Sequence, residues 1–367
     1  MVKRICHITS VHSANDVRIF YKECLSLSKE YEVFEIAPNT QDTVKQGIHI
    51  AGVTLPHSRW TRPLFLGRVL RKALEINAEV YHLHDPELIS LGLKLKRRGK
   101  KVIFDSHEDV PMQLLTKEYL PNYIRKPLSA IYAKHERNCL KHYDALVTVT
   151  PTILDRLLTI NQRSVMVTNY PPYHDVPRSI PTDNIPRVCF AGGVDKSYMH
   201  HCIVSSLPQT RVRYQLAGNC PFPYYLDDLK KIDGWKQVDY LGVVPPEDVE
   251  KIYAKSDIGL VLLDYLPNAG YHRGTLGVLK LFEYMMAGLP VIATDMEIWK
   301  DIVEGNHCGI CIDPHDSNAI AKSINYIIDN PNEAKLMGKN GKRAVREKYN
   351  WSTQEEILLK LYSELTV

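Results

Sequence analysis

Lys280 and Glu283 stand three residues apart in the run Lys280-Leu281-Phe282-Glu283-Tyr284-Met285-Met286-Ala287-Gly288-Leu289-Pro290-Val291-Ile292. The run reads as a short helix ended by Gly288 and followed by a buried strand from Pro290. On such a helix the two side chains share a face. A helix N-terminus near Thr275 to Val278 offers free N–H groups and the positive end of a dipole to a phosphate. Thr275, Leu276 and Gly277 are the candidates there, and Glu283 can accept hydrogen bonds from ribose hydroxyls. The same spacing also suits an ordinary surface ion pair, and the spacing alone leaves both readings open.

A second constellation lies early in the chain. Asp16 and Arg18 follow the first apolar run, at the carboxyl edge where open α/β sheets bind ligands. Asp16 suits either orienting an acceptor hydroxyl or capping a helix. Arg18 suits pairing with a phosphate. His84-Asp85-Pro86-Glu87 ends another strand. His82 and His84 flank Leu83 on one strand face, where a buried structural histidine is the common outcome. His107 lies in Phe104-Asp105-Ser106-His107-Glu108.

Several chemistries lack their signatures. There is no G-x-G-x-x-G, no G-x-x-x-x-G-K-[ST] and no H-E-x-x-H, and D-x-D, which would hold a metal against a diphosphate, is also absent. Cys308-Gly309-Ile310-Cys311 is a lone C-x-x-C, short of the four ligands of a structural zinc site. Lys94 to Lys101 holds six basic residues in eight positions. Beside it, Met112 to Tyr132 mixes Leu114, Leu115, Tyr119, Leu120, Tyr123 and Ile131 with Lys117, Arg125 and Lys126. A solvated face is the default for such a run, and docking to an anionic membrane surface is the functional alternative.

These residues need elements to hold them. Strands are expected at Arg4 to Ile8, Glu32 to Ala37, Glu79 to His84, Lys101 to Asp105 and Ala145 to Val149. Helices are expected from about Val17 to Lys29 and Leu88 to Arg97. Strands alternating with helices imply a parallel α/β sheet. Tyr170 to Pro181 then carries four prolines in twelve residues and reads as an interdomain linker. Beyond it the alternation restarts, with strands at Arg187 to Ala191, Arg213 to Ala217, Val238 to Leu241, Ile258 to Leu263 and Pro290 to Thr294. Trp351 to Leu365 reads as an amphipathic helix, with Leu358, Leu361, Tyr362 and Leu365 on one face.

The bulk properties narrow the class. With 367 residues, 44% hydrophobic and 24% charged, the chain is long enough for two ordinary globular domains and is neither disordered nor collagen-like. No apolar run is long enough to span a membrane, and the polar start does not read as a secretory signal. A net charge of +4, from 46 basic and 42 acidic side chains, is too balanced to imply nucleic-acid binding. Eight scattered cysteines suit a reducing cytosol better than a disulfide framework.

Taken together, the motifs resemble those of the family-4 retaining glycosyltransferases. The Lys280–Ile292 run resembles their donor-site motif. Phe190-Ala191-Gly192-Gly193 resembles the glycine turn opening their second domain. Leu216-Ala217-Gly218, Tyr240-Leu241-Gly242 and Asp257-Ile258-Gly259 resemble further signatures, as does Asp105-Ser106-His107-Glu108 in the first half. The resemblance implies a GT-B fold: α/β, two Rossmann-like domains with parallel sheets facing across a cleft. It implies an N-terminal acceptor-binding domain (residues 1–170), a Pro-rich linker (171–186), a donor-binding domain (187–349) and a C-terminal helix (350–367) crossing back to the first domain.

Site roles follow from the same resemblance. Glu283 binds the donor ribose, Lys280 sits near the donor phosphates, and His107 lies near the transferred sugar, with Asp16 and Arg18 as its catalytic companions. Gly193, Lys196, Val243, Arg273, Thr275, Leu276 and Gly277 complete the donor set. Thr275 stands where the family usually has a glutamate, and Asp195-Lys196-Ser197 replaces its usual basic-glycine pair. The implied reaction is retaining transfer of a sugar from a nucleotide-diphosphate sugar, UDP first and GDP next, to a glycan or lipid-linked acceptor in surface polysaccharide assembly. It is expected to need no metal and no further cofactor. The expected setting is cytoplasmic, with peripheral contact to anionic membrane and no nucleic-acid partner. A sugar-nucleotide epimerase of the same fold, and a non-catalytic partner protein, are the alternatives.

Overall fold

The computed structural model describes residues 2–54, 62–117, 120–179 and 182–366. Tyr119 of the mixed basic and apolar segment, and Ile180 and Pro181 of the Pro-rich stretch, lie outside the described residues. Contacts divide the chain into two units: Met1–Asn169 with Trp351–Val367, and Tyr170–Asn350.

The first unit is built on eight strands: β1 (Arg4–Ile8), β2 (Glu32–Pro38), β3 (Thr43–Lys45), β4 (Ile48–Val53), β5 (Val80–Leu83), β6 (Lys101–Ser106), β7 (Ala145–Thr148) and β8 (Ser164–Met166). Their order is β3-β4-β2-β1-β5-β6-β7-β8. All pairs are parallel except β3 with β4, a short hairpin that the apolar pattern did not announce. The chain reverses its direction of winding between β1 and β5. In such sheets the carboxyl ends at that reversal are where ligands bind. Cys6, Ile8, Tyr81, Leu83 and Phe104 fill one face, and Ile5, Val80 and Ile103 the other. This alternation follows from the period of two along each strand.

The second unit carries β9 (Arg187–Ala191), β10 (Arg213–Ala217), β11 (Val238–Gly242), β12 (Ile258–Val261), β13 (Val291–Thr294) and β14 (Gly309–Ile312). Their order, β11-β10-β9-β12-β13-β14, is the doubly wound arrangement, with its reversal between β9 and β12. Strand β14 takes up Gly309-Ile310-Cys311 of the C-x-x-C. Cys308 is buried with its thiol on the carbonyls of Ile302 and Val303. All eight cysteines are free.

Two helical expectations change in detail. The stretch read as one helix from Val17 is a π-helical run Ile19–Cys24 continued by a short α-turn Leu25–Leu27. Its wider winding places Ile19, Phe20 and Cys24 in the apolar core while Lys22 and Glu23 are also buried. The donor-motif helix is Leu279–Met286, so Thr275, Leu276 and Gly277 precede it in a loop and are not its first turn.

The terminal helix Trp351–Thr366 belongs to the first unit. Leu358, Leu361, Tyr362 and Leu365 join the core that includes Ile5, Phe20 and Val80. Trp351 Nε1 donates to Ser26 Oγ at 2.9 Å, and Gln354 Oε1 accepts from the Thr168 N–H at 2.8 Å. Among the described residues no helix is long and apolar enough to cross a membrane.

Leu358 is wholly buried. Its replacement by Ala is expected to destabilise the chain by about 2–5 kcal/mol, read from urea unfolding midpoints. A change of under ~0.5 kcal/mol would mean that the helix is not docked as described.

Candidate functional site

In the second unit a cavity of about 600 Å³ opens at the carboxyl end of β9 and β10. Its walls include Ala191, Gly192, Gly218, Val243, Val244, Tyr253, Lys280 and Glu283. Gly192 and Gly218 make it possible. A Cβ on Gly192 would lie 2.0 Å from Lys280 Cε, and one on Gly218 would lie 1.6 Å from the Gly192 carbonyl oxygen. Only the absence of a side chain lets Lys280 cross the strand end there.

Lys280 is enclosed by aromatic rings. Its Nζ stands 5.0 Å from the centre of the Phe190 ring and 4.6 Å from that of Tyr198, with the Tyr198 hydroxyl at 3.4 Å. Burial lowers its pKa, and Glu283 and Asp195 partly offset this. A cation with so little water is well placed to meet an anion. Glu283 is oriented by Tyr253, whose hydroxyl donates to Oε2 at 2.9 Å. Tyr253 in turn packs edge-on against Tyr284. The helix Leu279–Met286 starts at Val278 without a side-chain cap.

The structure thus brings Val243, Lys280 and Glu283 together. Gly193, Lys196, Arg273, Thr275, Leu276 and Gly277 do not line this cavity. Lys196 is exposed, with its amine 5.5 Å from the Tyr224 ring centre. Gly193 is exposed and Leu276 buried. Arg273 is exposed in the loop before the helix. The expectation that the Gly277 N–H greets a phosphate is corrected: it donates to Thr275 Oγ1 at 3.1 Å. The Thr275 carbonyl is held by Trp299 Nε1 at 2.7 Å, which anchors this loop. Sequence reasoning missed Pro171, Pro172 and His174. The segment read as a linker supplies one wall of the cavity, with His174 Nε2 at 2.8 Å from Glu250 Oε1. Tyr253 was also missed; its signal was a tyrosine on the helix before the buried strand β12.

In the first unit, the carboxyl edge of β1, β5 and β6 carries a dense polar cluster. Arg18 is buried. It donates from Nη2 to Asp105 Oδ2 at 2.8 Å and from Nη1 to the Val167 carbonyl at 2.8 Å, and its Nε lies 3.0 Å from Glu23 Oε1. This corrects the phosphate-pairing expectation for Arg18, whose donors face inward. Asp16 acts as a cap: Oδ1 accepts from the N–H groups of Arg18 and Ile19 at 2.8 and 2.9 Å. Burial opposes its charge, but His12 and those two N–H groups outweigh burial and bring its pKa down to about 2. Asp85 accepts from Thr9 Oγ1 at 2.8 Å and from the Ser10 N–H at 2.6 Å.

His7, His82, His84 and His107 gather around Arg18, Glu23 and Asp105. Burial is the largest cause lowering the pKa of all four imidazoles and keeps them neutral. Against the cost of burial, Arg18 holds Asp105 well below the usual carboxylate range. Glu23 moves the other way, because burial and the charge of Asp105 exceed what Arg18 returns. His107 Nδ1 is buried and 3.5 Å from Asp105 Oδ1, while its Nε2 is 3.3 Å from His84 Nδ1. Asp109, two residues beyond His107, caps the helix Val110–Thr116 and lies 3.4 Å from Arg156.

The surface features divide. Within the basic run, Lys96 lies 2.7 Å from Asp144 and Lys100 2.6 Å from Asn77, so part of the charge is answered internally. In the adjoining segment Tyr123 and Ile131 are 80% and 67% exposed, an apolar face beside basic residues.

Two family models match the chain. Glycosyltransferase Family 4 covers residues 17–169 and Glycosyl transferases group 1 covers residues 182–344. An uncharacterized glycosyltransferase of Methanocaldococcus jannaschii is 24% identical over 177 residues, 48% of this chain and 43% of that protein. Spore coat protein SA of Bacillus subtilis is 25% identical over 191 residues, 48% of each chain. The chain thus matches less than half the length of these relatives. Among solved structures, sucrose-phosphate synthase from Thermosynechococcus elongatus aligns over 99% of both chains with a TM-score of 0.77 at 15% identity. HepE of Anabaena, in complex with UDP and glucose, aligns over 99% of this chain and 100% of that one with a TM-score of 0.71 at 13% identity. At these identities the likeness is one of fold.

The neutral histidines set a pH dependence. Below about pH 6.5 the unfolded chain binds protons at His7, His82, His84, His107 and His200 that the folded chain refuses, so stability falls with acidification. Glu23, Glu136 and Glu35, the last pushed up to about 7, bind protons in the folded state and act in the opposite sense. His201, lowered by burial, and His12, raised by Asp16, oppose each other, and the net direction is a loss of stability between roughly pH 6.5 and 5.5. Urea unfolding across this range checks it, and a stability that rises toward low pH would contradict the buried cluster.

Proposed function

Since the chain belongs to the glycosyltransferases that pair a family 4 domain with a group 1 domain, we propose that it transfers a sugar, with retention, from a nucleotide-diphosphate sugar to a glycan or lipid-linked acceptor. The observation that carries this reading is the cavity of the second unit, where a half-buried cation and an oriented carboxylate share one wall. Its dimensions suit a nucleotide. In this reading Glu283 takes the ribose hydroxyls, and Lys280 with the first N–H groups of the Leu279–Met286 helix takes the diphosphate.

Transfer breaks the bond between the anomeric carbon and the diphosphate oxygen. A bond from the acceptor oxygen forms on the same face, through an oxocarbenium-like state. The acceptor proton passes to the leaving phosphate. Negative charge grows on that phosphate, and fixed cations and N–H dipoles stabilise it in place. The lack of a D-x-D motif supports a reaction that needs no metal. HepE, of the same fold, was solved with UDP, which makes uracil the first base to test and guanine the next. The first unit is assigned the acceptor. Tyr123 and Ile131, exposed beside Lys126 and Lys134, suit peripheral contact with an anionic membrane, consistent with a cytoplasmic enzyme of surface polysaccharide assembly.

Calorimetric titration with UDP, GDP, ADP and TDP, each with and without EDTA, tests the donor. One diphosphate should bind at micromolar Kd, unaltered by EDTA; no binding by any would move the reading to a non-catalytic partner protein. Glu283→Ala should weaken that binding about tenfold or more, and Tyr253→Phe by several-fold. His107→Ala should leave it unchanged and lower transfer. Vesicles with anionic lipid should co-float the protein at low salt, and Tyr123→Ser with Ile131→Ser should abolish this; absence of co-flotation would remove the membrane from the proposal.

A further inference from the structure

We propose that Tyr362, on the terminal helix, is a positioning residue that holds His107 as the neutral Nδ1–H tautomer through a hydrogen-bonded relay of His7 and His84. The relay is continuous. His107 Nε2 lies 3.3 Å from His84 Nδ1, His84 Nε2 lies 2.9 Å from His7 Nδ1, and His7 Nε2 lies 3.2 Å from the Tyr362 hydroxyl. The same hydroxyl lies 3.0 Å from His82 Nδ1. The planes of His84 and His107 differ by 3°, and those of His7 and His84 by 18°, with ring centres 5.4 and 5.1 Å apart. Each separation is close to the N···N distance plus two ring radii. The rings therefore lie edge to edge in nearly one plane, as an N–H···N bond requires.

A neutral imidazole has one donor and one acceptor, so the relay can run in only two directions. Either every histidine carries its proton on Nδ1, or every one carries it on Nε2. The ionised carboxylate of Asp105 chooses. Asp105 faces His107 Nδ1 at 3.5 Å and His84 Nδ1 at 3.7 Å. The contact of Asp105 with an Nε2, that of His82, is longer, at 3.9 Å. Protons on Nδ1 of His107 and His84 thus lie on the side of the ionised Asp105. His82 then donates to Tyr362, Tyr362 donates to His7, His7 to His84, and His84 to His107 Nε2. Burial keeps these rings uncharged. In this state the Nε2 lone pair of His107 is occupied and its Nδ1 carries a proton, so His107 serves as a fixed polar wall and not as a proton acceptor. Its place in transfer rests on the function proposed above; its tautomer does not.

Nitrogen-15 NMR of the full chain labelled at histidine tests the relay directly and needs no turnover. His7, His84 and His107 should each show the Nδ1–H pattern, unchanged from about pH 6.5 to 8. In Tyr362→Phe, which removes the donor to His7, the His107 signals should shift toward a mixture of tautomers while thermal unfolding remains cooperative. An Nε2–H pattern for His107 in the unaltered protein would overturn the proposal, as would an unmoved His107 in a folded Tyr362→Phe. Zinc bound at one per chain by elemental analysis would also overturn it, because an ion among His7, Glu23, His82 and His84 would occupy nitrogens that the relay uses. Where transfer is measurable, Tyr362→Phe should lower kcat about tenfold, the effect of one buried hydrogen bond, and leave nucleoside diphosphate binding unchanged. Equal loss of both would assign Tyr362 a purely structural role.

Discussion

The guanidinium of Arg18 is buried beside the first sheet and cannot escape its charge by losing a proton. Everything around it answers that constraint. Asp105 supplies the compensating charge at 2.8 Å, and the Val167 carbonyl takes another donor. One cation can hold one carboxylate ionised in such a place. Glu23, the second carboxylate within reach, is therefore driven toward its neutral form. With the charges matched, the four neighbouring imidazoles gain nothing by ionising, and they settle into a hydrogen-bonded array. Burying an unmatched charge would cost several kcal/mol, so the pair must form as the unit folds.

The second unit solves a related problem differently. Lys280 is half-buried, and among the described residues no carboxylate forms an ion pair with it. It rests against the faces of Phe190 and Tyr198, beneath the Gly192 turn. A cation held this way keeps unmet demand for an anion. That contrast explains why one sheet edge reads as a closed polar interior and the other as an open cavity, although both sheets wind around the same kind of reversal. The match of two separate glycosyltransferase family models, one within each unit, fits this division.

Much of the local structure was legible. Strands such as Arg187–Ala191 and Val291–Thr294 are nearly continuous apolar runs between turn signals, and backbone pairing in a buried sheet leaves such runs little alternative. The apolar face of the terminal helix followed from spacing, because Leu358, Leu361, Tyr362 and Leu365 recur at the helical period. The π-helical winding at Ile19–Cys24 was not legible. Its apolar residues fit an α-helix equally well, and only the contacts of Arg18 and Glu23 with distant strands select the wider turn. Nor was the role of the Pro-rich stretch. Prolines mark an extended chain, but composition does not say what an extended chain lies against.

What the sequence by itself determined was local: which segments are strands or helices, where they stop, and that Lys280 and Glu283 share a helix face. These depend on neighbours a few residues away. The tertiary structure alone decided the electrostatics. Arg18 and Asp105 are 87 positions apart, and His7 and Tyr362 are 355 apart. Whether an arginine meets a phosphate or an interior carboxylate, and whether a histidine is a base or a link in a relay, depends on dielectric and distance. Both are properties of the packed sheet, where strands remote in the chain lie side by side, and neither is written in any local run of residues.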